Sequence, residues 1–325
     1  MIRFSRDIRR PDGAQRGSVV CIGAFDGVHR GHRALLDRVR ERADESGLRG
    51  VAISFEPIPR EYFARSSPLL RLTSARDKIE RIADAGIDEL LSLRFNAQLA
   101  AMSPEAFVET ILVEQLSARE VWVGADFRFG RARVGDVDTL RSLGEQLGFS
   151  VCVFGDFDVE GQRVRSSEIR RLLAVGKFSD AESLLGRRFM IGGRVVHGRK
   201  LGRELGYPTA NVRLGRRLSP VTGIFAVWVH GVGDRPMPGV ASLGVRPTVD
   251  GVEPLLEAHL FDFDGDLYGR RIEIDFVAKL RDEIKFDGLD ALVVQMDADA
   301  AQARRILGIA ATGASRISST KRIHA

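Results

Sequence analysis

Cysteine is scarce in this sequence of 325 residues, which contains only Cys21 and Cys152. Two thiols are too few for a disulfide framework or a cysteine-rich zinc site. Both lie in short apolar runs, where cysteine behaves as a small buried hydrophobe, so we expect both to pack in a core. The scarcity favours a reducing, intracellular compartment.

Long apolar stretches are absent as well. No run approaches the roughly 20 residues that cross a bilayer, and the segment from Met1 to Arg10 lacks the apolar centre of a signal peptide. Low-complexity segments and internal repeats are also missing. These absences exclude membrane-spanning, disulfide-rich and solenoid classes, and we expect a cytoplasmic globular protein.

The excess of one charge sign is small. Lysine and arginine number 49 against 44 aspartates and glutamates, which gives a formal net charge of +5. Polyphosphate substrates or plain solubility account for such an excess without nucleic acid. We therefore expect small-molecule substrates and neither a nucleic-acid nor a membrane partner. The sequence leaves the oligomeric state open.

From residue 18 to Gly186, short apolar runs alternate with amphipathic stretches. A helix over 31–46 is expected to end before Gly47, and another begins at Ser103-Pro104, a cap residue followed by proline. Buried strands separated by amphipathic helices predict an α/β, Rossmann-like domain with mostly parallel strands. The predicted strands are Ser18–Ile22, Val51–Phe55, Leu90–Leu93, Val121–Gly124 and Val151–Phe154.

After Gly186 the runs become β-rich and are punctuated by glycine and proline, which predicts a small antiparallel barrel or sandwich. Asp287 is expected to cap a final helix whose apolar face begins at Leu289. We therefore divide the chain into an α/β domain at 1–186, an all-β domain with a C-terminal helix at 187–308 and a flexible basic tail at 309–325. The runs are Phe189–Val196, Gly223–Gly231, Gly239–Leu243, Leu255–Phe263 and Ile272–Ala278.

The loop after the first predicted α/β strand carries the strongest chemical signal. Residues 23–32, the histidine loop, read Gly-Ala-Phe-Asp-Gly-Val-His-Arg-Gly-His and lead into a helix. Open α/β sheets bind ligands at such junctions, and glycines with free helix amides suit phosphate. His29 and His32 fall on one face of the first turn and can donate hydrogen bonds to a phosphoryl oxygen. The loop lacks a Walker-type ending and resembles the G-x-F-D-x-x-H-x-G-H motif of the nucleotidyltransferase superfamily, which moves a nucleotidyl group onto a phosphate and releases pyrophosphate.

Three further segments narrow that resemblance. They are 55–63, with its aromatics and two prolines, 124–130, which reads Gly-Ala-Asp-Phe-Arg-Phe-Gly, and 164–170, where a helix begins. Phenylalanine rings suit a flat aromatic ligand, although core packing explains any single one equally well. All three segments resemble the N-terminal module of bacterial bifunctional riboflavin kinase/FAD synthetases, which implies adenylation of FMN to FAD.

A second motif follows in the β-rich half. Residues 198–211 form a glycine-rich, basic loop that ends in Pro-Thr-Ala-Asn, and Thr209 and Asn211 are two apart, hence on the same face of a strand. Hard oxygen ligands of this kind suit Mg²⁺. Alone, this motif is no stronger than a turn followed by a strand.

Four downstream segments strengthen the interpretation of this motif: 244–248, 256–260, 266–269 and 279–286. In order and spacing they resemble the riboflavin kinase module of the same family, which implies a six-stranded barrel. The resemblance implies that Thr209 and Asn211 hold Mg²⁺ and ATP and that Glu257 is the general base. The residues by themselves do not favour Glu257 over Glu273 or Asp275. We expect His230 and His259 of this half to be structural.

The candidate site residues fall into four groups. The catalytic group is His29, His32, Arg170 and Glu257. The group expected to bind ATP or phosphate is Gly23, Phe25, Asp26, Gly31, Ser166, Ser167, Gly198, Lys200, Gly202 and Arg203. The flavin-binding group is Phe55, Pro57, Pro59, Phe63, Asp126, Phe127 and Phe129. The metal group is Thr209 and Asn211.

The sequence departs from the family pattern at Ala24, Arg165, Ser167 and Ser242, and Arg199 and Lys200 make the second loop less glycine-rich than in some members. None of them removes a candidate catalytic residue. The expected function is thus phosphorylation of riboflavin by ATP to FMN, followed by adenylation of FMN to FAD. Two alternatives remain: an adenylyltransferase for another acceptor, such as a pyridine mononucleotide or a small alcohol phosphate, and a flavin-sensing or nucleic-acid-binding regulator with decayed catalysis.

Overall fold

The computed structural model describes residues 2–8, 16–64, 69–198, 202, 205–215, 218–248 and 251–310. The chain separates into two compact units. The first comprises Met1–Ile191 and Arg216–Val221, and the second comprises Gly192–Gly215 and Thr222–Ala325. Within the described ranges, no helix is both long and apolar enough to cross a membrane.

The first unit is built on a six-stranded parallel sheet of order β1-β4-β3-β2-β5-β6. The predicted α/β class is confirmed, and the edge strand β1 is an addition that the sequence did not indicate. After β2, the chain adds β3 and β4 on one side of that strand and then β5 and β6 on its other side. The loops after β2, β3 and β5 therefore meet at a topological switch point. The strands are β1 (Arg3–Ser5), β2 (Ser18–Ile22), β3 (Arg49–Glu56), β4 (Glu89–Arg94), β5 (Ala118–Gly124) and β6 (Ser150–Phe154). A separate two-stranded ribbon consists of β7 (Asp158–Val159) and β8 (Gln162–Arg163).

Eight α-helices of the first unit lie within the described residues. The first ends as predicted, since Gly47 takes a left-handed φ of 63° and closes the last turn. Ser103 caps the helix that starts with Pro104, also as predicted. A π-helical segment, Val108–Gln115, continues from that helix. The helices are α1 (Arg30–Ser46), α2 (Pro59–Phe63), α3 (Ala75–Ala83), α4 (Ala97–Ala101), α5 (Pro104–Phe107), α6 (Val137–Leu147), α7 (Ser166–Ala174) and α8 (Phe178–Leu185).

The two faces of the sheet are covered by different layers. Val19 and Cys21 of β2 pack with the α1 residues Leu36 and Val39 on one face. Val20, between them in sequence, packs on the other face with the π-helical segment. Alternate residues of one strand thus enter two cores, which is why the strand is apolar throughout. Cys21 is fully buried as expected, whereas Cys152 is only partly buried.

The second unit is a closed six-stranded barrel of order β10-β13-β12-β11-β14-β9, and the predicted all-β class is confirmed. Phe225 and Phe276 meet edge to face in its core, with ring centroids 5.1 Å apart. The barrel strands are β9 (Phe189–Val196), β10 (Ala210–Arg213), β11 (Gly223–His230), β12 (Met237–Thr248), β13 (Gly251–Leu260) and β14 (Arg271–Arg281).

A final helix, α9 (Leu289–Ile306), follows the barrel as predicted. The expectation that Asp287 caps it is wrong, because the N-cap residue is Gly288, which is extended and leaves the cap without a side-chain hydrogen bond. Leu289 is 55% exposed, and the residues that α9 buries, Asp299 and Ala303, lie in its second half. Glycine at the N-cap is tolerated because it leaves the first helical amides open to water.

Candidate active sites

The histidine loop joins β2 to α1 at the switch point of the sheet. His29 is the N-cap of α1, and its Nδ1 accepts a hydrogen bond from the backbone N–H of His32 at 3.2 Å. The two imidazole rings stack, with centroids 3.6 Å apart and planes at 13°. Phe25 is fully buried and packs edge-on against His32 at 5.2 Å. The loop therefore brings both histidines together and packs the ring of Phe25 against His32.

Both histidines are neutral near pH 7. Burial lowers the pKa of His29 to about 4. Burial, together with the neighbouring His29 and Lys78, lowers the pKa of His32 well below its usual range. Because Nδ1 of His29 is an acceptor, the single proton of its neutral ring lies on Nε2. His29 thus offers one N–H donor and no positive charge.

The carboxylate of Asp26 is enclosed by donors from two segments of the chain. It accepts hydrogen bonds from the backbone N–H groups of Leu72 and Thr73 at 3.1 Å and from the guanidinium of Arg170. Arg170 also donates to the carbonyl oxygen of Leu70. Asp26 is only 3% exposed, and these hydrogen bonds to its carboxylate hold the histidine loop in its conformation.

The phosphate-binding candidates of this unit lie around the same loop. Ser166, at the start of α7, donates to the backbone carbonyl of Asp26 at 2.9 Å, while Ser167 beside it is exposed. Gly23 donates its N–H to the carbonyl of Ile53 at 3.0 Å, so that amide is already occupied. Gly31 lies in the first turn of α1.

A buried lysine that the sequence analysis missed lies next to the histidine pair. Lys78 of α3 is 2% exposed, and its Nζ donates to Ser54 Oγ at 2.9 Å and to the backbone carbonyls of Ala24 and Phe55 at 3.3 and 3.2 Å. Burial lowers its pKa. A sequence signal existed, because Lys78 lies four residues before the buried Ile82 and thus on the apolar stripe of α3.

The aromatic candidates cluster at the carboxyl ends of neighbouring strands. Phe55 and Phe63 join Tyr62 and Phe95, two rings that the sequence analysis did not select, with centroids of these ring pairs 5.2–6.0 Å apart. Phe63 is 66% exposed, which is unusual for this side chain. The two prolines selected with them, Pro57 and Pro59, are partly buried, and Pro59 is the first residue of α2.

A second aromatic pair follows β5. The rings of Phe127 and Phe129 stack with centroids 5.3 Å apart. Phe129 is 6% exposed and packs in the core, whereas Phe127 is only partly buried. Asp126 is exposed.

In the barrel, the strand register aligns three polar residues in one row. Asn211 of β10 lies opposite Glu257 of β13, and Glu257 lies opposite Ser242 of β12. Thr209 is two residues before Asn211 and lies on the same side of the chain. The row therefore collects an amide, a carboxylate and hydroxyls on neighbouring strands.

This polar row faces a cavity of about 590 Å³ within the second unit. Of the candidates, Gly198, Gly202, Thr209, Asn211 and Glu257 all line it. The other two, Lys200 and Arg203, lie outside the described residues. Several further residues line the cavity although they are not among the candidate site residues, notably Tyr207, Arg281, Glu283, Phe286 and Met296.

Gly198 is required by its contact with Asn211. A Cβ atom at position 198 would lie 2.4 Å from Nδ2 and 2.5 Å from Oδ1 of that amide. Gly202 is similarly close to the backbone, since a Cβ there would lie 2.3 Å from the carbonyl oxygen of Tyr207. The glycine-rich loop thus approaches the polar row more closely than any other residue type allows.

Helix α9 forms polar contacts with two residues that line the cavity, Tyr207 and Arg281. Arg281 donates two hydrogen bonds to the buried Asp299 of α9, and Tyr207 donates its hydroxyl to Asp297. His259 lies across from Tyr207, and its Nδ1 is 2.9 Å from the carbonyl oxygen of Pro208, so Nδ1 carries the proton. These contacts fix the segment that carries Thr209.

A neutral histidine pair at the switch point of a parallel sheet, joined to a barrel with a polar cavity, defines a transferase with two modules that use phosphate esters. Two family models match the chain in this order. The first, FAD synthetase, matches residues 12–168, and the second, riboflavin kinase, matches residues 185–307.

Curated relatives match nearly the full chain under one description, bifunctional riboflavin kinase/FMN adenylyltransferase. The relative from Escherichia coli strain K12 is 45% identical over 295 residues, 91% of this chain and 94% of its own length. The relative from Pseudomonas fluorescens is 47% identical over 298 residues, with the same two coverages of 91% and 94%. The chain belongs to the bifunctional riboflavin kinase/FMN adenylyltransferase family.

A solved structure is similar along almost the whole chain. It is described as a macrolide-efflux protein from Streptococcus pneumoniae, with a TM-score of 0.77, 29% identity, and coverage of 93% of this chain and 99% of its own. The efflux activity in that description belongs to that protein and does not occur in the descriptions of the two curated relatives.

Proposed function

We propose that this chain makes FAD from riboflavin in two ATP-dependent steps, one in each unit. The barrel phosphorylates riboflavin to FMN, and the α/β unit adenylates FMN to FAD. The observation that carries the proposal is the presence of two chemically different sites in two separately packed units. One holds the neutral histidine pair, and the other holds the polar row centred on Glu257.

We place the boundary between the modules close to residue 186. The compact first unit, whose main segment runs to Ile191, and the riboflavin kinase match, which starts at residue 185, support a division near this point. The kinase module then extends to about residue 308, shortly after α9. We propose that a tail follows at 309–325, of which residues 311–325 lie outside the described residues.

In the adenylyltransferase module, a phosphate oxygen of FMN attacks the α-phosphorus of ATP. The bond between the α-phosphorus and the bridging oxygen breaks, and pyrophosphate leaves. His29 and His32 donate hydrogen bonds to phosphoryl oxygens, and the free amides at the start of α1 add further donors. Because His29 is already a neutral Nε2–H donor, it needs no proton transfer before the reaction.

Four further candidate residues contribute to this site: Asp26, Ser166, Ser167 and Arg170. Ser167 is exposed at the start of α7 and is free to meet a phosphate. Ser166 and Arg170 hold the loop through Asp26, which positions the histidines for the reacting phosphate.

The aromatic clusters bind the flavin. The exposed ring of Phe63 and the partly buried rings of Phe55 and Phe127 offer edges and faces to the isoalloxazine system at the carboxyl edge of the sheet. Asp126, exposed beside them, offers a hydrogen-bond acceptor. The position of these residues after β3 and β5 places them on either side of the histidine loop.

In the kinase module, Glu257 takes the proton from the ribityl 5′-hydroxyl of riboflavin. The hydroxyl oxygen attacks the γ-phosphorus of ATP, the bond to the β-phosphate oxygen breaks, and ADP leaves. Since a carboxylate is a weak base for an alcohol, most of the rate comes from positioning and charge neutralisation. The register of β10, β13 and β12 fixes Glu257 between Asn211 and Ser242.

The residues present fit a magnesium ion. Thr209 and Asn211 supply hard oxygen atoms on one side of the chain, and the space beside Asn211 is kept clear by Gly198. When bound, Mg²⁺ neutralises charge on the ATP phosphates. Lys200 and Arg203, in the same loop, complete the phosphate-binding group that we propose for this module.

The proposal is tested by incubating riboflavin with ATP, with and without Mg²⁺, and separating the flavins by chromatography. We expect FMN to form first and FAD to follow, with ADP and pyrophosphate as co-products, and no turnover in excess chelator. A chain that binds riboflavin but makes neither product would support the regulator hypothesis instead. A chain that adenylates a pyridine mononucleotide in preference to FMN would support the other alternative.

A further inference from the structure

Arg187 reaches the histidine loop from the segment that follows α8. Its Nη2 donates to the carbonyl oxygen of Gly27 at 2.5 Å, and its Nη1 donates to those of Val28 and Leu185, both at 3.3 Å. One guanidinium thus holds two consecutive carbonyls directly before His29. Nothing in the local sequence indicates this contact, since Arg187 is 160 residues from Gly27 in the chain.

The backbone at this point needs such support. Val28 has a φ of 39°, in the left-handed region that β-branched residues rarely adopt, and Gly27 has a φ of 92°. Strained backbone of this kind persists only where the surroundings hold it. Val28 immediately precedes His29, so its backbone direction determines where the His29 ring points.

Arg187 also contributes a positive charge next to the histidine pair. Among the described residues it donates to carbonyl oxygens and forms no ion pair, and burial lowers its pKa to about 9. Together with Lys78, which also acts on His32, it adds positive potential around the neutral histidines. Such a potential favours a polyphosphate and the pyrophosphate that leaves.

We propose that Arg187 is a positioning residue of the adenylyltransferase reaction, which holds Gly27 and Val28 so that His29 meets the reacting phosphate. The inference rests on the proposed function of the histidine loop. The FAD synthetase match ends at residue 168, whereas Arg187 lies in the riboflavin kinase match, which starts at residue 185. The adenylyltransferase site therefore depends on a residue from the kinase-matching segment.

The test uses the full-length chain with Arg187→Met, Arg187→Lys and, as a matched control, Arg188→Met. Arg188 is the next residue, its side chain is 43% exposed, and it lies 3.8 Å from Glu182. FAD formation from FMN gives kcat and KM, and FMN formation from riboflavin in the same samples reports a folded chain. We expect Arg187→Met to lower kcat for FAD formation about 10- to 100-fold, as small misplacements of catalytic groups do, with little change in KM for FMN.

Two further readouts separate positioning from a general loss of structure. Arg187→Lys should recover part of kcat, because an ammonium group reaches one carbonyl but lacks the planar fork that spans two. The acid limb of the pH–rate profile should move to higher pH in Arg187→Met. This follows because one positive charge beside His29 is lost, while Asp26, Arg170 and Lys78 remain.

Wild-type FAD formation in Arg187→Met, or an equal loss in Arg188→Met, would overturn the inference. If Arg187→Met loses FMN formation as well and is unfolded, Arg187→Lys decides: a selective loss of FAD formation supports the inference and a wild-type rate overturns it. Absence of FAD formation in the unaltered chain would instead contradict the proposed function, and this inference with it.

Discussion

The imidazole rings of His29 and His32 are parallel to within 13°, with centroids 3.6 Å apart, at the entrance to α1. Two rings can lie this close in a buried site because neither is charged near pH 7. Burial is the main reason that both pKa values are low, and nearby positive charge adds to it: Arg187 and Arg170 for His29, and Lys78 and Arg187 for His32.

The stability of the chain should therefore fall in mild acid. The folded pKa of His29 is about 4 against 6.5 in the unfolded chain, so the unfolded state binds more protons between these values. The stabilisation is complete above about pH 6.5 and decreases as the pH falls towards about 4, by an amount on the order of 3 kcal/mol. Urea unfolding across this window measures it. His29→Gln should show a shallower dependence of the free energy of unfolding on pH, and an unchanged slope would contradict the assignment.

Loss of the Asp26 charge should destabilise the first unit. In Asp26→Asn the guanidinium of Arg170 loses its carboxylate partner, and breaking a buried pair typically costs about 3–5 kcal/mol. Asp138→Asn is the matched control, because Asp138 is 87% exposed and pairs with Arg141 on the surface of α6. We expect a large fall in the free energy of unfolding and loss of FAD formation for the first variant only. Equal effects of the two substitutions would contradict the role of Asp26.

Gly198→Ala should impair the kinase alone. The added methyl group would lie 2.4 Å from Nδ2 of Asn211 and displace that amide or the loop. Because displacement by about 1 Å can cost on the order of a hundredfold in rate, we expect FMN formation to fall by ten- to a hundredfold. Gly233→Ala is the control, since a Cβ there meets no atom within 4 Å. FAD formation from supplied FMN should stay unchanged in both, and an active Gly198→Ala kinase would contradict the close approach.

Phe63→Ala should weaken FMN binding without affecting the fold. The ring is 66% exposed, so its removal leaves little cavity, while one aromatic contact of about 1 kcal/mol corresponds to a several-fold rise in KM for FMN. Phe4→Ala, on the edge strand β1 with a ring that is 39% exposed, is the control. A fall in melting temperature with an unchanged KM would show that Phe63 is a structural residue.

Local patterns predicted most of the fold. The predicted bounds of Ser18–Ile22 and Phe189–Val196 agree with the observed ones, because the apolar run that defines such a strand consists of adjacent residues. Arg3–Ser5 was missed because a three-residue strand is defined by its partner β4 rather than by its own pattern. The cap at Asp287 was wrong because a helix start depends on the backbone angles that Gly288 adopts as well as on the side chain available.

The candidate sites divide in the same way. His29, His32, Thr209 and Asn211 stand in short motifs and could be selected from the sequence, although their roles remain predictions. Arg187, by contrast, meets its partners over a separation of 160 residues, which only tertiary packing determines.

We propose that one chain holds two independent sites, and a pair of substitutions separates their two reactions. His32→Ala and Glu257→Ala are each supplied with Mg²⁺ and ATP, first with riboflavin and then with FMN, and the flavins are separated by chromatography. His32→Ala should accumulate FMN and lose FAD formation by about 10²–10³-fold, the usual cost of one transition-state donor. Glu257→Ala should lose FMN formation from riboflavin by about 10²–10⁴-fold, the usual contribution of a general base, and should convert supplied FMN to FAD at the wild-type rate. Loss of both activities in either folded variant would contradict the division of the two reactions between the two sites.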